Sequence, residues 1–192
     1  MKPQLIGITG HANAGKDTFA DELVTHHDFV KMEFARKLKE IISDLYDVPL
    51  SDFYDRTLKN TPHPNLYDNT PREAAQRIGT EGFRNLIGAS TWIDYLKRQI
   101  VKSDSLIVIS DVRFPDEFDM IVEMGGTIIG ISRDDVEYYL HESEAQVHAL
   151  IAKADIIVSN KDTLDKYRVN ISRTIESLGF VNKQNDLAQL LG

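Results

Sequence analysis

The run Gly10-His11-Ala12-Asn13-Ala14-Gly15-Lys16-Asp17-Thr18 has residue types and spacing suited to holding a polyphosphate. Glycines at its two ends let the backbone turn so that successive N–H groups point inward, and Lys16 can reach the β and γ phosphates. The run departs from the usual glycine-lysine phosphate loop at one place. Asp17 stands where a Ser or Thr hydroxyl normally meets magnesium, and Thr18 comes one residue later.

Such a loop needs a strand before it and a helix after it. Leu5, Ile6 and Ile8 form a short apolar strand running into Gly10, and Phe19, Ala20, Leu23 and Val24 fall on one helical face. The helix expected over residues 15–27 aims its positive N-terminal end at the bound anion. An ordinary glycine-containing strand-to-helix turn is the plain alternative, and the flanking elements argue against it.

Further chain segments bring polar groups to the same edge of a sheet. The most strand-like run, Leu106-Ile107-Val108-Ile109, ends in Ser110-Asp111, and Arg113 follows. An acid at the carboxyl end of a buried strand is the expected place for a magnesium-organising carboxylate. Arg133 lies just past a strand over 127–131, and Asn160 just past one over 155–158. Strands alternating with helices imply an α/β fold with a mostly parallel sheet, whose ligands bind off the carboxyl ends of the strands.

Between these segments, 29–34 reads as a second strand, and Ala35, Leu38, Ile41, Ile42 and Leu45 mark a helix. Arg36, Lys37 and Lys39 crowd the start of that helix, as a solvated face or as phosphate contacts. Residues 47–69, rich in Pro, Asn and Asp, read as a long loop. Thr70-Pro71-Arg72-Glu73 is a capping box with proline at the first helical position. The helix it opens has an expected buried stripe of Ala75, Ile78, Gly82 and Leu86, with Arg72, Gln76, Arg77 and Arg84 off it. Those arginines suit either surface ion pairs or a bidentate grip on a monophosphate.

A helix from Ser90 carries the only tryptophan, Trp92, with Ile93, Leu96 and Ile100; a lone Trp is more often core than ligand platform. Another starts at Phe114-Pro115-Asp116-Glu117 and ends at Gly125-Gly126. Residues 134–153 are charged and largely helical, and include His141-Glu142-Ser143-Glu144. They read as a lid bringing Arg133 over the phosphates or as a surface excursion. The final helix carries Leu164, Tyr167, Ile171, Ile175 and Leu178, and Leu187, Leu190 and Leu191 suggest a docking turn in the tail.

The 192 residues suit one domain with a substantial core, and the net charge of −8 argues against a surface for polymeric nucleic acid. An anionic substrate must then be held by local arginines and backbone dipoles. With no cysteine, disulfides, thiolate zinc sites and cysteine nucleophiles are excluded. No apolar run approaches 18 residues, so neither a signal peptide nor a membrane span is expected, and the compartment reads as cytoplasm. Apolar helix and tail residues permit a homodimer, and the oligomeric state stays open.

An ordered set of motifs resembles the bacteriophage-type deoxynucleoside monophosphate kinases over nearly the whole chain. The set comprises Gly15-Lys16-Asp17-Thr18, Phe34-Ala35-x-x-Leu38-Lys39, Gln76-x-x-Gly79-Thr80-Glu81, Trp92, Asp111-x-Arg113-x-x-x-Glu117, Gly125-Gly126 and Asp155-x-x-x-x-Asn160. The resemblance implies a three-layer P-loop kinase fold in one domain over 1–192, with an acceptor-binding insertion over 47–101 and a lid over 134–153. It implies transfer of the γ-phosphoryl of ATP to a deoxynucleoside 5′-monophosphate, in the host cytoplasm if the gene is a phage's.

On that resemblance Gly10, Ala12, Asn13, Ala14, Gly15, Lys16, Asp17 and Thr18 hold ATP, with Asn160 beside them. Lys16 stabilises the transferring group, and Asp17 and Asp111 hold Mg2+ directly or through water. Arg72, Arg113 and Arg36 hold the acceptor phosphate. Gly79, Thr80, Trp92 and Glu117 line the nucleoside pocket, and Arg133 acts as a lid or transition-state arginine. A related kinase for another small acceptor, such as dephospho-coenzyme A, and a nucleotide-binding subunit without turnover stay open. A regulatory GTPase fits poorly: Asn160-Lys161-Asp162 is followed by Thr163, and Phe114 stands where Asp-x-x-Gly needs glycine.

Overall fold

The computed structural model describes residues 4–133 and 146–180. Two compact units share the chain: one takes in residues up to Glu33 and from Gln99 onward, the other Phe34–Arg98. The segment 134–145, with most of the expected lid and the His141-Glu144 run, and the tail over 181–192 lie outside the described residues.

The first unit is built on five strands: β1 (Leu5–Thr9), β2 (Phe29–Met32), β3 (Leu106–Val112), β4 (Thr127–Ser132) and β5 (Ile156–Ser159). They lie in the order β2-β3-β1-β4-β5 and all pair in parallel. Strand alternation explains the layering. Ile6, Ile8, Ile129 and Ile131 share a cluster with Phe19, Ala20 and Leu23 of α1 (Lys16–His27) and with Tyr167, Ile171 and Ile175 of the C-terminal helix Leu164–Ser177. The opposite face is so closely covered that a Cβ at Gly7 would stand 2.6 Å from Ile121 Cδ1, on the helix Pro115–Glu123. A Cβ at Gly130 would likewise meet Ala154 and Ile151, at the end of the helix Val147–Lys153.

The chain leaves β1 toward β2 in one direction and crosses from β3 back over β1 to β4 in the other. Right-handed crossovers then put helices on opposite faces, and the order reverses at the carboxyl end of β1. Between the pairs Gly7↔Ile109 and Thr9↔Val112 the register slips, because β3 carries one extra residue at Ser110-Asp111. A bulge re-aims side chains where it occurs.

The second unit contains α2 (Arg36–Tyr46), the helix α3 (Pro71–Gln76) and most of α4 (Thr91–Val101). The expected loop over 47–69 holds three short 3-10 turns, Leu50–Phe53, Leu58–Asn60 and Pro64–Leu66. The capping box is formed: the Thr70 hydroxyl accepts from Glu73 N at 3.1 Å, and Glu73 Oε2 from Thr70 N at 2.9 Å.

Past Gln76 the helix widens into a π-helical stretch, Arg77–Ile87, finishing with Gly88 N donating to Phe83 O at 2.9 Å. Bonds to the fifth residue back move the buried stripe off the α-helical period. Ala74, Gly79 and Thr80 are buried, whereas Leu86, expected inside, is 80% exposed. Trp92 Nε1 donates to Gly79 O at 3.1 Å and its ring meets Phe83 at 4.9 Å, within the core of this unit.

A Cβ at Gly79 would stand 2.5 Å from Leu38 Cδ2 inside that core. Gly79→Ala is expected to destabilise the chain by about 1–3 kcal/mol, the usual range for overpacking. The check is a lower urea midpoint at an unchanged m-value.

Candidate functional site

The loop over residues 10–18 sits at the carboxyl end of β1, where the strand order reverses. Its turn needs residues that accept left-handed backbone. Gly15 has φ 103°, and Asn13, a residue type that tolerates this region, has φ 62°. Ala12 and Ala14 turn their methyls inward, and Ala14 N donates to His11 O at 3.1 Å. Lys16 opens α1 and folds back over the loop, its Nζ donating to Gly10 O at 2.6 Å and His11 O at 2.7 Å.

Two side chains from the far end of the chain brace the loop from behind. Asn160 Nδ2 donates to Ala14 O at 2.8 Å, and the Tyr167 hydroxyl to Gly15 O at 3.0 Å. Burial pushes the Tyr167 phenol well above its usual pKa, so it stays a neutral donor. Asn160 is held in turn by its own N–H, which donates to Ser132 O at 2.8 Å. Arg133, just after β4, reaches Asn13 O through Nη1 at 3.3 Å.

Asp17, one residue into α1, has two donors that sequence reading did not single out. Ser110 Oγ, from the β3 bulge, donates to Asp17 Oδ1 at 3.0 Å, and Lys31 Nζ, from β2, at 2.8 Å. Desolvation works to raise the Asp17 pKa, but the Lys31 hydrogen bond and charge, the Ser110 hydroxyl and the Lys16 charge together hold it below the usual carboxylate value. Lys31 is shifted up: Asp17 and Asp21 outweigh its desolvation. Asp17 is therefore ionised at neutral pH. The pairing stabilises the fold above the ordinary carboxyl range and loses that contribution as pH falls through the depressed value.

Asp111 and Arg113 follow Ser110 on the same rim, both half-buried. Glu117 is buried, and its Oε2 accepts from Arg113 N at 2.8 Å and Phe114 N at 3.1 Å, so the carboxylate caps the helix it belongs to. The loop, Asp17, Ser110, Asp111, Arg113, Arg133 and Asn160 thus gather at one edge of the first unit's sheet. Arg36, Arg72, Gly79, Thr80 and Trp92 belong to the second unit. There Arg36 Nε donates to Glu40 Oε1 at 2.8 Å, and Arg72 is half-buried on α3.

Among the described residues no three His, Cys, Asp or Glu side chains come together to cage a metal. The donor set still suits Mg2+. That ion keeps most of its waters and is bound through one or two carboxylates plus substrate phosphates. Asp17, with both donors on Oδ1 and its side chain 76% exposed, and Asp111, half-buried on the β3 rim, carry hard oxygen donors of that kind.

A family model for deoxynucleotide monophosphate kinase matches residues 68–171, more than half of the chain. The chain belongs to the deoxynucleotide monophosphate kinase family. It is 29% identical over 196 residues to an Acanthamoeba polyphaga mimivirus protein whose name gives it as an inferred deoxynucleotide monophosphate kinase, covering 93% of this chain and 99% of that protein. The deoxynucleoside-5′-monophosphate kinase of Escherichia phage T5 is 29% identical over 101 residues, 45% of this chain and 40% of that one. Among solved structures, shikimate kinase from Bacteroides thetaiotaomicron shares the fold, with a TM-score of 0.52 at 16% identity over 92% of this chain and 98% of that one.

The kinase therefore has the three-layer α/β architecture of the P-loop kinases around a parallel central sheet. It is an ATP-dependent phosphotransferase with a small, nucleotide-like acceptor. Among its described residues no helix is long and apolar enough to cross a membrane.

Proposed function

We propose that this kinase converts deoxynucleoside 5′-monophosphates to diphosphates at the expense of ATP. The observation that carries the reading is the family model over residues 68–171, which spans the second unit's α3, π-helical stretch and α4 together with the Ser110-Asp111-x-Arg113 rim. An oxygen of the acceptor phosphate attacks the γ-phosphorus, the bond to the β-phosphate oxygen breaks, and ADP leaves. Such transfer asks mainly for positioning and charge neutralisation.

In this reading residues 10–18 cradle the ATP phosphates, and Asn160 and Tyr167 keep the cradle in shape. Lys16 lies over the loop carbonyls, poised for the transferring group. Asp17 and Asp111 would hold Mg2+, which would supply neutralisation of the polyphosphate charge. Arg113 takes the acceptor phosphate, and Arg133 stands at the transferring group. In the second unit Gly79, Thr80 and Trp92 shape the nucleoside pocket, Gly79 and Trp92 through the core they share; in the first, Glu117 fixes the helix start next to Arg113. The finer division of the chain keeps an acceptor-binding region over 47–101 and a lid over 134–153.

The test is a phosphoryl-transfer screen with ATP and Mg2+ against the four deoxynucleoside monophosphates, their ribonucleotide counterparts and dephospho-coenzyme A. Diphosphate from one or more deoxynucleotides is expected. Turnover confined to dephospho-coenzyme A, or none with any acceptor, would overturn the reading.

A further inference from the structure

A carboxylate in the first turn of a phosphate-loop helix creates an electrostatic difficulty that a serine or threonine does not. Asp17 adds a negative charge beside the place where a polyphosphate must sit, and like charges there oppose binding. The fold supplies the compensation from the next strand. Lys31 Nζ lies 2.8 Å from Asp17 Oδ1 and 3.2 Å from Asp21 Oδ1. Asp17 and Asp21 are one turn apart on α1 and so face the same way. Lys31 is held in place by β2, which pairs with β3 at Lys31↔Val108, two residues before Ser110.

The same ammonium has a second consequence. It occupies one oxygen of a carboxylate that is otherwise open, the Asp17 side chain being 76% exposed against 25% for Lys31. A divalent cation drawn to Asp17 meets a positive charge already seated there. A cation so placed would favour a bound polyphosphate and oppose a metal ion at the same carboxylate.

We propose that Lys31 is a positioning residue that acts through Asp17 as its built-in counter-cation and sets the divalent-metal requirement of this loop. The inference rests on the reading that residues 10–18 take a Mg2+-bound nucleotide, and it is independent of which acceptor is phosphorylated. Its signature is a pair of opposite effects. With Lys31 gone, nucleotide binding without metal weakens, and metal binding to the nucleotide complex tightens.

The experiment is calorimetry on the full chain with ADP as the probe, in EDTA and then with Mg2+ titrated into the ADP complex. Lys31→Met is expected to weaken metal-free ADP binding about tenfold and to lower the Mg2+ half-saturation point about tenfold, the scale of one unit charge acting through largely solvated surroundings. Lys31→Arg, which keeps the charge, is expected to preserve both values within about threefold. In an Asp17→Asn background, where no carboxylate is left for the ammonium and the metal to contest, Lys31→Met should lower the Mg2+ half-saturation point by no more than about threefold. A Mg2+ half-saturation point unchanged or raised by Lys31→Met would overturn the proposal, as would the same shifts in the Asp17→Asn background. Should Lys31→Met not fold, Lys31→Gln carries the same expectations and the same refutation. Failure of the deoxynucleotide reading would instead appear in the acceptor screen, with these binding values intact.

Discussion

Lys16→Met is expected to lower kcat/KM for phosphoryl transfer about 10³-fold, with most of the loss in kcat, while the chain remains folded. The ammonium is seated directly on the loop, fixed by Gly10 O at 2.6 Å and His11 O at 2.7 Å. Those carbonyls hold it over the cradle, so little reorganisation is needed when charge builds on the transferring group. Removing one such preorganised donor typically costs about 10²–10³ in rate, and a full charge belongs at the upper end. An interaction made mainly in the transition state shows in kcat rather than KM. Steady-state kinetics at saturating ATP, paired with a thermal melt to show the variant folded, is the check. Activity within tenfold of the parent would remove Lys16 from the reaction.

The loop and its rim were legible because both rest on local rules. Glycines with a lysine after a strand, and an acid at the end of an apolar run, announce themselves wherever the chain goes. Their shared edge followed from parallel strands, and the pairs Thr9↔Val112, Thr9↔Gly130 and Ser132↔Ser159 carry that edge through four strands.

What stayed hidden depended on contacts between distant segments or on an unusual backbone. Lys31 lies between Val30 and Met32 in a short strand, like any polar residue of an edge. Its signal was indirect: an aspartate at the hydroxyl position needs a nearby cation. Ser110 was hidden by the bulge, and Tyr167 read only as part of an apolar stripe. The expected stripe holds at Ala75 and Ile78, which pack against the second unit's core, and breaks at Leu86, where the backbone runs at the wider π-helical repeat rather than 3.6.

Gly15→Ala is the second large effect, and it separates the backbone of the loop from its side chains. At φ 103° an alanine is strained wherever it has space, at a cost of about 1–3 kcal/mol. Here it has no space: the new Cβ would stand 2.7 Å from Asn160 Nδ2 and 2.9 Å from Tyr167 Cε1. Both groups brace the loop, so displacing them also forfeits hydrogen bonds to Ala14 O and Gly15 O, each worth about 1 kcal/mol. A loss of about 3 kcal/mol predicts a Tm lower by about 6–12 °C for a chain of this size. ADP affinity should fall by at least tenfold, because the inward N–H groups no longer share one centre. Adding Asn160→Ala to Gly15→Ala relieves the contact with Asn160 but leaves Tyr167 and the strained φ in place, so it should recover only part of the loss. Full recovery would mean that the contact alone makes this position glycine, and an unchanged Tm in the single variant would mean that the braces do not hold the loop.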